Sequence, residues 1–278
     1  MKKVACYRPG PLFPAISITG ARCELACPHC AGRPLSAMLP AETPDRLVEI
    51  ARKLEADGAH GFLLSGGCSL DGVLHIDAFL DAIKEIKNST HLKINAHVGF
   101  PGKYEAHAIA SSKIDAFSVT YPMSDEIGRR YLSIAGAMKR YSDTVHALKS
   151  GGAKKIVPHA ILGLGDYGQD ISGIRSLAMD PPKSLVVLGF MPLKGTPMEG
   201  NPPASEAHMI GSLTLMHEFM PNTKLVLGCM RPRGRQETEL MLSERVLDGI
   251  AAPSFNTEGA LPGKVSFENV EGCCAVHL

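Results

Sequence analysis

Short apolar runs alternate along the chain with longer stretches of helical periodicity. The runs 15–20, 61–67, 92–99, 116–122, 155–162, 184–191, 224–229 and 249–254 are rich in Val, Ile and Leu and bounded by residues such as Gly, Pro, Ser and Cys. Such runs read as strands buried on both faces. Between them, 43–58 places Leu47, Ile50, Ala51 and Leu54 on one helical face, with Thr43 as N-cap, Pro44 in the first turn and Gly58 as the stop. The segments 77–87, 104–111, 134–149, 171–179, 206–220 and 236–247 read as helices in the same way. Eight strand–helix alternations predict an α/β fold, a (β/α)8 TIM-type barrel. The last two strands are the weakest, so the alternative is a partial (β/α)6 barrel with a C-terminal extension. No repeat or linker interrupts the pattern. A single domain over 1–278 is expected, with 255–278 as a tail that folds back over the barrel mouth.

In a barrel of this kind the chemistry gathers at the C-terminal ends of the strands. The unusual residues fall there. Cys23, Cys27 and Cys30 follow the first run, Gly66, Gly67 and Cys68 end the second, and Asn95 and His97 lie late in the third. Ser118 and Thr120 are late in the fourth, and Cys229, Met230 and Arg231 close the seventh.

Composition narrows the partners. With 29 Lys and Arg against 28 Asp and Glu, the net charge of +1 gives no bulk reason to expect nucleic acid. No apolar run approaches the roughly 20 residues of a membrane span, and the first ten residues lack the apolar core of a signal peptide. A cytoplasmic protein is expected. There, 8 Cys point to metal or redox chemistry and not to disulfides.

The sharpest signal is Cys23-Glu-Leu-Ala-Cys27-Pro-His-Cys30, a CxxxCxxC spacing directly after a strand. Three thiolates on one tight loop converge on a single iron–sulfur cluster and leave one iron open. Zinc favours four closed ligands in paired spacings, and no second CxxC exists in the chain.

At these residues the sequence resembles the radical S-adenosylmethionine (SAM) superfamily. The resemblance implies a [4Fe-4S] cluster on Cys23, Cys27 and Cys30, whose open iron is chelated by S-adenosylmethionine. One electron then cleaves that cofactor to a 5′-deoxyadenosyl radical. It further implies that Ser65-Gly66-Gly67-Cys68 stands where the superfamily has a Gly-Gly-Glu-like turn against the cofactor's amino group, with Cys68 replacing the acid. His29 stands where a ring packs near adenine. Asn95, His97, Ser118 and Thr120 become candidate ribose or carboxylate contacts, and each is about as readily a packed polar core residue.

Five cysteines remain. Cys68, Cys229, Cys273 and Cys274 are candidate ligands of a second, auxiliary cluster, with Cys68 and Cys229 also candidate catalytic residues. The alternative is that Cys68 and Cys229 are small core residues and the tail is disordered. Cys6, nine residues before the first run, is the least favoured. Arg231 and Arg233 are placed to hold a carboxylate or to lower thiolate pKa values, and with Arg235 to form a basic rim at the mouth.

The segments 13–20, 190–197 and 227–234 resemble the biotin-synthase-related branch. Within it, 14–20, the cysteine motif and Gly228-Cys229-Met230-Arg231-Pro232 are most similar to one component of the two-protein archaeal-type lipoyl synthase. This implies sulfur insertion at an unactivated carbon of octanoyl-lysine, with the auxiliary cluster as sulfur source. The implied partners are a second radical SAM component, an octanoylated lipoyl-domain or H-type carrier protein, and a reductant such as ferredoxin. Biotin-synthase-like sulfuration of a small acid and a methylornithine-synthase-like mutase are the rivals, with a non-catalytic iron–sulfur carrier as the reading from another class.

Overall fold

A computed structural model describes residues 1–258 and 260–278. Its strands are β1 (Lys2–Arg8), β2 (Ala15–Ser17), β3 (Leu39–Pro40), β4 (Gly61–Ser65), β5 (Lys93–His97) and β6 (Ala116–Tyr121). They continue with β7 (Ile156–Leu162), β8 (Ser184–Gly189), β9 (Lys224–Leu227), β10 (Gly249–Ala251) and β11 (Val265–Glu271). All pairings are parallel, in the order β11-β1-β10-β9-β8-β7-β6-β5-β4-β2-β3.

The eight expected strands are all present, but they do not close a (β/α)8 barrel. β1, β3 and β11 join them, giving an eleven-stranded parallel sheet. Among the described residues no strand pairing joins the β3 edge to the β11 edge, so the sheet is open and curled, a partial barrel. The seam is bridged by side chains: His60, just before β4, meets Glu271 at the end of β11 at 2.8 Å. The extra strands explain the difference. β1 inserts between β10 and β11, so the last part of the chain extends the sheet where a closed barrel would return to its first strand. Cys6 therefore lies inside a strand, not ahead of the first one.

The helices pack on the outer face of the sheet. They are α1 (Pro44–Ala56), α2 (Leu80–Ser89), α3 (Lys103–Ala110), α4 (Asp125–Tyr131), α5 (Ala137–Ser150), α6 (Tyr167–Leu177), α7 (Glu206–Phe219) and α8 (Gln236–Arg245). α1 starts where its sequence says: the Thr43 hydroxyl accepts from Arg46 N at 3.3 Å, Pro44 opens the helix, and Leu47, Val48, Ile50 and Ala51 are buried. α6 begins with a capping box between Asp166 and Gln169. The helix expected over 134–149 starts later, at Ala137, because a separate helix, α4, capped by the Ser124 hydroxyl, precedes it.

Strand parity sorts the side chains. Phe62, Leu64, Ile94, Phe117 and Cys6 point outward into the sheet–helix core. Each such large apolar group contributes roughly 1.5–3 kcal/mol by leaving water. The opposite set, including Tyr7, Ala116, Val157, Val186, Val226 and Ala251, faces into the curl. There it packs on a short helix, α9 (Cys274–His277).

Residues 255–278 were expected over the mouth. The structure takes the end of that segment to the base instead. Lys155, one residue before β7, donates to Val276 O at 2.7 Å, and His277 stacks on Tyr7. The reason is geometric. β11 runs parallel to β1, and the tilt of the strands brings its end beside the start of β4.

Candidate metal centre

The loop after β2 is built from three local devices. The Ser17 hydroxyl donates to Gly20 O at 2.6 Å and the Thr19 hydroxyl to Arg22 O at 2.9 Å, which fixes the exit from the strand. Ala26 and Ala31 take left-handed backbone conformations (φ 42° and 44°), which side chains adopt only at a cost of order 1 kcal/mol each. Cys30 N and Ala31 N then both donate to Cys27 O, at 3.0 and 2.7 Å. The result turns the Cys27 and Cys30 sulfurs and a ring nitrogen of His29 to within 4.8 Å of one another.

Cys23 is held by the turn after β4. Glu24 N and Leu25 N donate to Cys68 O, at 3.0 and 3.2 Å, and the Cys23 thiol points to the same oxygen at 3.8 Å. Gly67 N donates to the Thr19 hydroxyl at 2.7 Å. A Cβ on Gly67 would overlap the Arg22 carbonyl and Cys23 Cα, so only glycine allows this approach.

The electrostatics suit a thiolate ligand. Hydrogen bonding from Cys27 pulls the Cys30 thiol down to about 4 against the effect of burial, helped by His29. Cys27 is raised by the same hydrogen bond and by burial, and its sulfur donates to Leu132 O at 3.0 Å. Burial opposes a charge on His29, but Cys30 and the Tyr131 carbonyl, 2.9 Å from Nδ1, raise its pKa on balance. Burial, with Cys23 and Cys30 adding to it, pushes Cys68 up to about 12. Cys68 thus lies with the motif loop.

Below this loop the curl encloses a polar chamber. Ser118 Oγ donates to Asn95 Oδ1 at 2.9 Å, and Ser65 Oγ lies 3.4 Å from His97 Nδ1. His159 meets His97 edge to face, with ring centroids 5.7 Å apart, and its Nδ1 is 3.0 Å from Val157 O. Burial lowers His97 to about 3 and His159 to about 4, so both rings are neutral. Thr120 packs in a crevice with Leu132, Ile161 and Leu164, on the Cys27 side.

The floor carries Cys273 and Cys274. Asn95 Nδ2 lies 3.5 Å from Cys273 Sγ. The hydrogen bond from Cys274 draws Cys273 down to about 7 against burial, and raises Cys274 in return. Cys229 is exposed in the loop that follows the C-terminal end of β9.

The structure brings Cys23, Cys27, Cys30, His29, Gly66, Gly67 and Cys68 together at the C-terminal ends of the strands, where Cys229 also follows β9, and sets Cys273 and Cys274 beside Asn95 deeper in the curl. His97, Ser118 and Thr120 lie on the walls between. Cys6 joins neither group: it is wholly buried between sheet and helices, and burial pushes its thiol up to about 11.

The basic rim is not formed as expected. Arg231 is buried, paired with Glu239 at 2.7 Å and donating to Gly228 O and Ala251 O. Arg233 donates to Cys229 O and Ala252 O, and Arg235 to Ala204 O. Carbonyls left free at the strand ends draw Arg231 inward, whereas Arg233 stays exposed and Arg235 half-buried. His159, Ser65 and the Arg231–Glu239 pair were missed by sequence reasoning. Strand parity was the available signal for His159, since it alternates with Val157 along β7.

No family model matches the chain. Over 200 residues it is 21% identical to biotin synthase of Yersinia pseudotuberculosis, covering 71% of this chain and 57% of the relative. The chain thus spans just over half the length of the curated relatives it matches. Among solved structures, methylornithine synthase (PylB) superposes with a TM-score of 0.64 at 18% identity, over 90% of this chain and 72% of that one. The [FeFe]-hydrogenase maturase HydG gives 0.63 at 12%, over 90% and 57%. SuiB of Streptococcus suis, bound to S-adenosylmethionine, gives 0.56 at 14%, over 95% and 59%. These likenesses show the fold, a parallel α/β sheet that in this chain is open and curled. No helix among the described residues is long and apolar enough to cross a membrane.

Proposed function

We propose that this chain is a radical SAM enzyme that inserts sulfur at an unactivated C–H carbon, as one half of a two-component lipoyl synthase acting on octanoyl-lysine of a carrier protein. The observation that carries this reading is the presence of thiols beyond the motif loop, Cys273 and Cys274 in the chamber beside Asn95, with Cys229 in the loop after β9.

The donor set fits the groups required. Cys27 and Cys30 converge, and Cys23 is held beside them by the Cys68 carbonyl. When bound, a [4Fe-4S] cluster with an open iron and S-adenosylmethionine supply homolytic removal of an unactivated hydrogen, and an auxiliary iron–sulfur cluster supplies sulfur. The chain itself binds, orients and excludes water. Gly66 and Gly67 would let backbone approach the cofactor, and His29, held by Tyr131 O, would pack beside it. The neutral rings of His97 and His159, with Ser118, Thr120 and Asn95, offer hydrogen bonds without a charge that would attract water. Cys68, beside the motif loop, and Cys229, in the loop after β9, are the candidate catalytic thiols. A second radical SAM component, an octanoylated lipoyl-domain or H-type carrier and a reductant such as ferredoxin complete the system, in the cytoplasm.

The methylornithine-synthase-like alternative needs one cluster and leaves the floor thiols unused. The deciding experiment offers the reconstituted enzyme an octanoylated lipoyl-domain peptide or dethiobiotin and measures 5′-deoxyadenosine. Product formed at least about tenfold faster with the peptide supports the reading; product with dethiobiotin alone overturns it in favour of biotin-type chemistry.

A further inference from the structure

We propose that His159 is a specificity residue whose Nε2 accepts a hydrogen bond from the amide N–H that joins the acyl chain to lysine. An acyl group carried as an amide is then taken, and the same group carried as an ester or as a free acid is not. This rests on the proposed action on octanoyl-lysine and adds which atom of the chain reads which atom of the substrate.

On β7, Val157 packs with Cys274 and Ala275 on the inner face, while Ala160 and Leu162 face the helices. By the same alternation His159 faces inward, one inner position above the floor. Its Nδ1 lies 3.0 Å from Val157 O. A carbonyl can only accept, so Nδ1 carries the hydrogen, and in a neutral ring Nε2 is left with a lone pair. Burial keeps the ring neutral at physiological pH. Nε2 has no hydrogen-bond partner among the described residues, yet the side chain is only half-buried, so the lone pair is open to a ligand in the chamber.

The neighbouring wall groups do not have a fixed role of this kind. Ser118 Oγ donates to Asn95 Oδ1 and Asn95 Nδ2 lies on Cys273 Sγ, so that pair is occupied. His97 Nδ1 faces the Ser65 hydroxyl at 3.4 Å, which can give or take a hydrogen, so either tautomer of His97 fits. Thr120, paired with His159 across β6 and β7, carries a hydroxyl with the same freedom. His159 alone among them must accept. An ester or a carboxylate brings only acceptors to its lone pair, and each side then loses the hydrogen bond it had with water. The amide is the donor that octanoyl-lysine offers, because the octanoyl chain has none.

The test uses the full chain, reconstituted anaerobically and supplied with S-adenosylmethionine and a reductant, with two lipoyl-domain peptides. One carries octanoyl-lysine, and in the other an ester oxygen replaces the amide N–H. Wild type, H159F and H159Q are compared by calorimetric peptide affinity, by kcat/KM for 5′-deoxyadenosine and by imidazole nitrogen NMR. Wild type is expected to favour the amide by about tenfold or more in both affinity and kcat/KM. H159F should bring that ratio to about one by losing the amide, and H159Q, whose side-chain carbonyl can accept, should restore part of it. The NMR should show Nδ1 protonated and Nε2 bare, with Nε2 shifting when the amide peptide is added. Equal handling of amide and ester by wild type overturns the inference and leaves the lipoyl-type reading standing. So does a preference that survives in H159F, a bare Nδ1, or a weakened S-adenosylmethionine affinity in H159F with an unchanged ratio, which would assign the lone pair to a cofactor hydroxyl. If neither peptide gives 5′-deoxyadenosine while dethiobiotin does, the lipoyl-type reading fails and the inference falls with it.

Discussion

The two thiol groups of this protein are built by opposite means. Cys23, Cys27 and Cys30 sit within eight residues, and local hydrogen bonds with two left-handed alanines turn their loop. Cys273 and Cys274 reach the chamber beside Asn95 only because β11 pairs with β1 and the sheet curls until its seam nears closure. The first group depends on a turn and the second on the whole sheet. Damage to the loop should therefore be local in effect, whereas the floor should be lost when any of its distant supports gives way.

The largest expected effect is local. Cys27→Ser removes a ligand whose sulfur sits within 4.8 Å of that of Cys30. Cofactor cleavage, measured as 5′-deoxyadenosine, should drop about a thousandfold and the iron content by about four, with the floor thiols still able to bind. Loss of all iron would break the contrast between the two regions.

Next comes the support beneath Cys229. Glu239 accepts from Arg231 at Nε and Nη2 and from Ser254, and all of this is buried. Arg231→Met leaves that carboxylate without its partner and should cost about 3–5 kcal/mol in denaturant melts of the metal-free chain. The double variant R231M/E239L should recover most of the loss, which a purely steric role for Arg231 would not allow.

The chamber walls between the two regions respond to pH. His97 and His159 are neutral when folded, with pKa values lowered by burial to about 3 and about 4. The unfolded chain takes up protons near pH 6.5 that the folded chain refuses until about pH 4. Stability is thus complete above pH 6.5 and falls as pH drops through this window, with a limiting slope of about 1.4 kcal/mol per pH unit for each ring. Titrating the denaturation midpoint should show a shallower acid limb in H97Q/H159Q; an unchanged limb would mean that neither ring is shielded from water.

The smallest effect sharpens the floor alone. Asn95→Leu removes the hydrogen bonds to Cys273 and Ser118 and should destabilise by about 1 kcal/mol in the same melts. The motif loop should keep its iron in this variant, because Asn95 touches none of it.

Legibility followed the same division. α1 was readable from Thr43, Pro44 and its apolar face because a helix bonds within itself. The eight central strands were readable because burial on both faces leaves continuous apolar runs. β11 was not read. Its burial is partial along Val265–Glu271, as befits an edge strand, so its pattern resembles a loop. Cys6 and Tyr7 are sequence neighbours, yet one faces the helices and the other the chamber, and only pairing with β10 fixes that parity. Arg231 looked like a rim residue because its sequence neighbours are polar and glycine-rich. The structure spends its charge on Glu239 and three backbone carbonyls.

The sequence by itself determined the parallel α/β class and the loop that brings Cys27 and Cys30 together, because periodicity and turn chemistry act over a few residues. Tertiary structure alone decided that the sheet stays open, that Cys68 stands with the motif loop, and that Cys273 and Cys274 reach the floor beside Asn95. Those outcomes depend on strand pairing and tilt between segments far apart in the chain, and no local pattern encodes them.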